Sequence, residues 1–198
     1  MFYGYLGYSA FSDKKTEESY TNAANEFEKA VTGSGKKADA GNSTLNAINV
    51  TNSGSNKKMM EDYEIIGTIE IPKVKLKCAI LNEVTKRSIE IAVGQIYSVN
   101  GLNKPGNTVI YGHNYRNDLF FSKNDELSNG DKIYILDQEG TKLTYEIYNI
   151  FITTSTDTSF YARTSEDTEG KAEVTLSTCT DDASTTDRRL IIQARELD

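Results

Sequence analysis

Residues 174–182, VTLSTCTDD, carry Cys179 out of an alternating stretch into an acidic turn. Alternation sets Val174, Leu176 and Thr178 on one face and Thr175, Ser177 and Cys179 on the other. The apolar face belongs to a core, so the cysteine shares its face with hydroxyls. A free cysteine is most often a small buried hydrophobe, and that reading stands beside a second, a thiol nucleophile. A thiol of ordinary pKa, ~8.5, needs a basic or cationic neighbour to react well near neutrality. The chain has 1 histidine. This residue, His113, ends the strand-like NTVIYGHN and precedes the polar NYRND. Its plain reading is a locally hydrogen-bonded side chain, but by elimination it is the only imidazole that a reactive Cys179 can use. Arg188 and Arg189 open the last apolar strand. They read either as solvated strand ends or as donors of paired hydrogen bonds to a developing oxyanion.

The other cysteine, Cys78, lies on a face with Val74, Leu76 and Ile80 and reads as core. A Cys78–Cys179 disulfide is an open alternative. Neither cysteine belongs to a CxxC pair, and the single histidine nearly excludes a Cys/His structural zinc site. No Gly-rich phosphate loop is present. Lys+Arg is 22 against Asp+Glu 29, a net charge of −7. That balance argues against nucleic acid, which calls for a basic face.

The elements that must position these residues lie mostly in the second part of the chain. Its 198 residues suit one domain with an appendage. The start, MFYGYLGYSAFSDKK, is apolar and aromatic, too short to cross a bilayer and without the basic start of a signal peptide. It reads as a stretch just past a membrane anchor, or as an apolar helix docked on the domain. In 13–31, Tyr20, Ala23, Ala24, Phe27 and Val31 recur at helical spacing. Residues 32–58 are rich in Gly, Ser, Asn and Lys and read as a linker. Matches to N-x-[ST] at Asn42 and Asn49 are treated as chance. From about residue 62 strands follow one another: IIGTIEIPKVKLKCAI, NTVIYGHN, DKIYILD, KLTYEIYNIFITT, AEVTLSTC and RRLIIQARE. NGD (129–131) and QEG (138–140) supply turns, and SIEIAVGQ and DLFFSKNDEL have room for short helices. Pro72 suggests an edge strand or a bulge. The whole predicts an N-terminal helix and linker over 1–61, then an all-β barrel or sandwich over 62–198.

Four stretches in order, IGTIEIPKVKLK (66–77), NTVIYGHN (107–114), TLSTC (175–179) and RRLIIQARE (188–196), resemble the sortases, cysteine transpeptidases of Gram-positive cell surfaces. The resemblance implies a closed eight-stranded β-barrel with its site at one rim. It makes Cys179 the nucleophile, His113 the general acid/base and Arg189 the oxyanion or substrate-backbone donor, with Arg188 as the alternative. Thr178 resembles a substrate-orienting position, and Ile191 resembles a wall of the sorting-motif groove.

The implied reaction cleaves an LPxTG-like signal between Thr and Gly through a thioester. The acyl group then passes to an amine, from a peptidoglycan cross-bridge or a pilin lysine. Implied partners are surface proteins or pilins bearing a C-terminal sorting signal. The implied location is the extracellular face of the membrane of a Gram-positive bacterium, held by an N-terminal anchor. A cysteine peptidase that mainly hydrolyses and a non-catalytic surface β-domain are the alternative readings. GHNY and TLSTC resemble class B wording, yet 155–171 is shorter than that class's helical insertion. No DP-aromatic lid precedes the barrel, and no class is assigned. No cofactor is expected. Some sortases bind calcium near an acidic loop, which Asp157, Glu166, Asp167 and Glu169 make here, although a solvated acidic loop is the commoner case. The turn TDDASTTD (180–187) is expected to shape the groove, with Asp181 and Asp182 favouring basic or neutral substrate residues.

Overall fold

A computed structural model describes residues 3–33, 57–180 and 187–197. The expected linker and most of the 180–187 turn lie outside them. The strands are β1 (Lys58–Met60), β2 (Tyr63–Ile71), β3 (Leu76–Leu81), β4 (Val93–Ser98) and β5 (Gly106–Tyr111), then β6 (Lys132–Asp137), β7 (Lys142–Thr154), β8 (Ala172–Cys179) and β9 (Arg188–Glu196). Their order is β1-β2-β3-β4-β5-β8-β9-β7-β6, and β6 returns to pair with β2. Strands β2–β9 thus form the expected closed eight-stranded barrel, with β1 added as a short ninth. The pairings β3–β4 and β5–β8 are parallel, and the rest are antiparallel. Closure leaves no long free edge.

Two turns show how the chain reverses. Pro72 is neither on an edge strand nor in a bulge. It opens a single 3₁₀ turn, Pro72–Val74, ended by Lys75 at φ 57°, whose N–H donates to the Pro72 carbonyl at 3.1 Å. Proline's fixed φ suits that first position, and the turn pairs Ile71 with Leu76. Val74 therefore falls outside the strand that carries Cys78. That strand is also buried on both faces, because a helix covers its outer side. Between β6 and β7 the Asp137 carboxylate accepts the N–H groups of Glu139 and Thr141, both at 2.9 Å, while Gly140 takes φ +84°.

The covering helix is α1 (Tyr3–Val31), which starts ten residues earlier than the spacing predicts. Tyr20, Ala23, Ala24 and Phe27 are buried against β2 and β3, the stripe read from the sequence. Glu28 accepts from Lys77 at 2.7 Å and from Thr68 at 3.3 Å, and the Thr21 hydroxyl donates to the Lys77 carbonyl at 3.2 Å. Among the described residues no helix is long and apolar enough to cross a membrane. The other short helices among the described residues are α2 (Ser88–Ile91) and a second 3₁₀ turn at Asn124–Glu126.

The segment joining β7 to β8 is tied down by an ion triad. Glu173 on β8 has a side chain 0% exposed and accepts from Arg163 at 2.5 Å and Arg195 at 3.4 Å. Arg163 also donates to the Asp167 carbonyl at 3.3 Å. Removing one member of a buried ion group costs about 3–5 kcal/mol, because an uncompensated charge remains. Both arginines retain some exposure, which lets water take up part of that charge. Glu173→Ala is therefore expected to lower unfolding free energy by roughly 2–3 kcal/mol, measured by urea denaturation. Faster proteolysis at 155–171 should accompany the loss.

Candidate active site

Strand β8 is the spine of the site. On one side it pairs parallel with β5, setting Tyr111 beside Ser177; on the other it pairs antiparallel with β9, setting Cys179 opposite Arg189. Direct partners project to the same side of a sheet. Tyr111, Cys179 and Arg189 therefore share a face, along with Val109, Thr175, Ser177 and Ile191. Cys179 is half-buried at the strand end and free, as is the fully buried Cys78, which leaves the disulfide alternative without support. Burial pushes the Cys78 thiol up to about 12, so this cysteine is core, as its spacing predicts. The Tyr111 hydroxyl lies 3.6 Å from the Cys179 sulfur.

The two arginines separate. Arg189 is half-buried and pairs with Cys179 and Thr153, whereas Arg188 pairs with Thr154, is exposed and projects to the opposite face. The Arg189 charge acts on the hydroxyls of both Tyr111 and Tyr161, opposing the upward push of burial. The guanidinium is thus the cation at the Cys179 end of this face, whereas Arg195 at the other end is paired with Glu173.

His113 does not end its strand, because β5 stops at Tyr111. The loop is held to β8 beyond that point by main-chain and side-chain bonds. Gly112 N–H donates to the Ser177 carbonyl at 3.2 Å, and the Thr178 hydroxyl donates to the Gly112 carbonyl at 2.7 Å. A Cβ on Gly112 would meet the Phe121 ring at 2.7 Å and Val93 at 2.9 Å, so only glycine fits before the histidine. The Asn114 amide donates to the Cys179 carbonyl at 3.1 Å, and the His113 carbonyl accepts from Phe121 at 3.1 Å. The imidazole stands between Tyr111 (5.9 Å, edge-on) and Tyr115 (4.6 Å). Tyr115 in turn meets Phe120 at 6.0 Å, and Phe120 meets Tyr20 of α1 at 5.2 Å. The helix packs behind the histidine loop; it contacts β2, β3 and α2 and does not lie across the Cys179 rim.

The remaining sequence-derived residues fall on two sides of the sheet. Thr178 is buried with its hydroxyl engaged by Gly112, so it anchors the His113 loop. Ile191 is fully buried under Phe160 with Val109, flanked by Tyr97, Phe151 and Tyr161. Its side chain does not reach the surface and packs beneath these rings, on the face that carries Cys179. Asn107, fully buried, fastens two residues of this cluster: its amide donates to the carbonyls of Phe160 (3.0 Å) and Tyr161 (3.1 Å), and its oxygen accepts from Thr175 at 2.9 Å. Sequence reasoning overlooked Tyr111, Asn114 and Asn107. All three lie within NTVIYGHN, with Tyr111 two residues before His113 and Asn114 directly after it, which was the available signal.

The acidic loop is largely spent on its own turns. Asp157 accepts from Thr153 (2.6 Å) and from the Ser159 N–H (2.9 Å), and Asp167 accepts from the Thr164 N–H (2.7 Å). Glu169 lies 3.8 Å from Arg195. Among the described residues no three His, Cys, Asp or Glu side chains form a metal-binding group. Asp181 and Asp182 lie outside the described residues.

A mixed barrel thus sets the Cys179 thiol opposite Arg189 at adjoining strand ends, with His113 on a loop bonded to the same strand. Residues 69–197 match the family model of the sortase domain, and the chain belongs to the sortase family. Sortase A of Bacillus anthracis is 28% identical over 121 residues, 61% of this chain and 54% of that protein. The chain thus spans about half the length of that curated relative. Among solved structures, sortase A of Corynebacterium diphtheriae superposes with a TM-score of 0.61 at 28% identity, covering 69% of this chain and 62% of that one. A Clostridium perfringens Sortase D5 transpeptidase gives 0.60 at 25% identity, covering 94% and 98%.

Burial holds the His113 pKa below its ordinary 6.5, with Glu90 opposing it. Between that lowered value and 6.5 the unfolded chain binds more protons than the native one, so stability rises with pH across this window. Acidifying from pH 7 through 6.5 is therefore expected to cost stability in the wild type more than in His113→Gln. An NMR titration of the imidazole should give a midpoint under 6.5. A midpoint above 6.5 would mean that Glu90 outweighs burial.

Proposed function

We propose that this protein is a cysteine transpeptidase that cleaves an LPxTG-like sorting signal between Thr and Gly and transfers the acyl fragment to an amine. The observation that carries this reading is the register of Cys179 against Arg189, beside the loop that holds His113. Likeness to the Clostridium perfringens transpeptidase over 94% of this chain supports transfer as the main outcome.

In the proposed reaction the imidazole takes the thiol proton, and the sulfur attacks the threonine carbonyl. The guanidinium of Arg189 faces the negative charge that develops on the carbonyl oxygen, an interaction stronger in the transition state than before it. The imidazolium then protonates the leaving glycine amine, and an incoming amine resolves the thioester. Nucleophile, proton carrier and anion stabiliser all come from the chain, so the proposed steps draw on no cofactor. The partly buried rings of Tyr97, Phe151 and Tyr161, packed against the buried Ile191, offer the apolar part of the signal a surface.

The proposed substrates are surface proteins or pilins with a C-terminal sorting signal, and the amine comes from peptidoglycan or a pilin lysine. The proposed setting is the outer face of a Gram-positive membrane, reached through an N-terminal anchor. A mass-spectrometric assay with an LPxTG-type peptide library and triglycine should yield triglycine-capped product that disappears in Cys179→Ala and His113→Ala. Arg189→Ala should lower kcat/KM by about 10²–10³, while Arg188→Ala stays near the wild-type rate. Cleavage without capture would favour a peptidase.

A further inference from the structure

Tyr111 has no role in the reading above, yet its hydroxyl is the only side-chain polar atom within hydrogen-bonding distance of the Cys179 sulfur among the contacts of the described residues. Its position follows from the fold. Parallel pairing of β5 with β8 sets Tyr111 against Ser177, two residues before the cysteine on the same face, and the long ring spans the remaining distance. The ring is also fixed on its other side, edge-on to His113 at 5.9 Å. We propose that Tyr111 is a further catalytic residue, whose O–H donates a hydrogen bond to the Cys179 thiolate and so raises the population of the nucleophilic form. This inference rests on Cys179 being the nucleophile.

The chemistry distinguishes the two states of the sulfur. With the thiol protonated, either group can donate to the other. Once the proton has moved to the His113 imidazole, the sulfur only accepts and the phenol only donates. Burial and the neighbouring sulfur push the Tyr111 hydroxyl well above its ordinary value, so it keeps its proton when the thiolate forms. When the S–C bond forms, the sulfur loses its charge and the hydrogen bond weakens. The donor therefore acts on the step before attack. His113 is held towards its neutral form by burial, which limits how far it alone can maintain a thiolate. A second stabilising group has a clear task here.

The titratable and charged groups around the Tyr111 hydroxyl and the His113 imidazole come from several neighbouring elements. Tyr111 comes from β5, Arg189 from β9, His113 and Tyr115 from the loop after β5, and Tyr161 from the β7–β8 segment. Glu90 of α2 acts on His113 and Tyr115. Of these, among the described residues, only Tyr111 hydrogen-bonds to the sulfur, so its removal has a defined signature.

The test is the rate of Cys179 alkylation by iodoacetamide across pH 5–10 in the full chain, followed by peptide mass mapping. Cys78, buried and with its thiol near 12, stays silent. Tyr111→Phe keeps the ring against His113 and removes only the hydroxyl. The expected result is a rise of about one unit in the midpoint, a roughly tenfold loss of thiolate below it. Alkylation at pH 7 should fall only about threefold, because the remaining thiolate is more nucleophilic. The shift should persist in a His113→Ala background. Replacing Tyr111 by 3-fluorotyrosine, a stronger donor of unchanged shape, should move the midpoint down. An unchanged midpoint in both variants would overturn the proposal, since a packing role does not move it in opposite directions. Peptide transfer scored on the same samples separates the two claims. Transfer with unmoved midpoints sinks the Tyr111 role alone, whereas shifted midpoints without transfer in the wild type sink the transpeptidase reading alone.

Discussion

Everything at the candidate site depends on the register of β8 between β5 and β9. Side chains alternate along a strand, so a slip of one residue would turn Cys179 towards the barrel interior and Thr178 towards the rim. Several contacts resist that slip. Val174, Leu176 and Thr178 are buried inside, while Glu173, Thr175 and Ser177 are buried outside. A strand buried on both faces has no alternative register that costs little. The His113 loop inherits the same constraint, because Gly112 and Asn114 both bond to β8. Sulfur and imidazole are thus positioned by one piece of backbone.

The two flanks of the site are braced differently. On the β7–β8 side, Asn107 and the Glu173 triad fasten the segment that carries Phe160 and Tyr161. On the histidine side the support is aromatic, running from Tyr20 of α1 through Phe120 and Tyr115 to His113. Aromatic pairs at such distances contribute about 0.5–1.5 kcal/mol beyond their burial. That is enough to bias a ring but not to lock it. The N-terminal helix is therefore part of the support for the imidazole, although it lies away from the sulfur.

Much of this was legible in the chain. Cys179, His113 and Arg189 stand out by residue type and by their places near strand ends, and the strands follow from alternation. The stripe Tyr20, Ala23, Ala24 and Phe27 foretold a docked helical face. What escaped reading depends on partners distant in sequence. Periodicity cannot tell that β5 pairs in parallel with β8, and without that pairing Tyr111 is only a strand tyrosine. Strand β3 looked one-sided because α1, more than 40 residues away, covers its outer face. Pro72 looked like an interruption because the turn it opens is visible only once β2 and β3 pair. The bond from the Thr178 hydroxyl to the Gly112 carbonyl likewise joins residues 66 apart in the chain.

The central claim is that His113 and Arg189, from separate elements, serve one reacting sulfur at Cys179. Measuring kcat/KM for His113→Ala, Arg189→Ala and the double variant, with a peptide that the wild type transfers, tests it most directly. Groups that act as a unit are strongly non-additive. If both side chains serve one sulfur, the double variant is expected to be scarcely worse than the poorer single one. Losses that multiply independently would contradict it, because they would mean that the two side chains do not share a reacting centre.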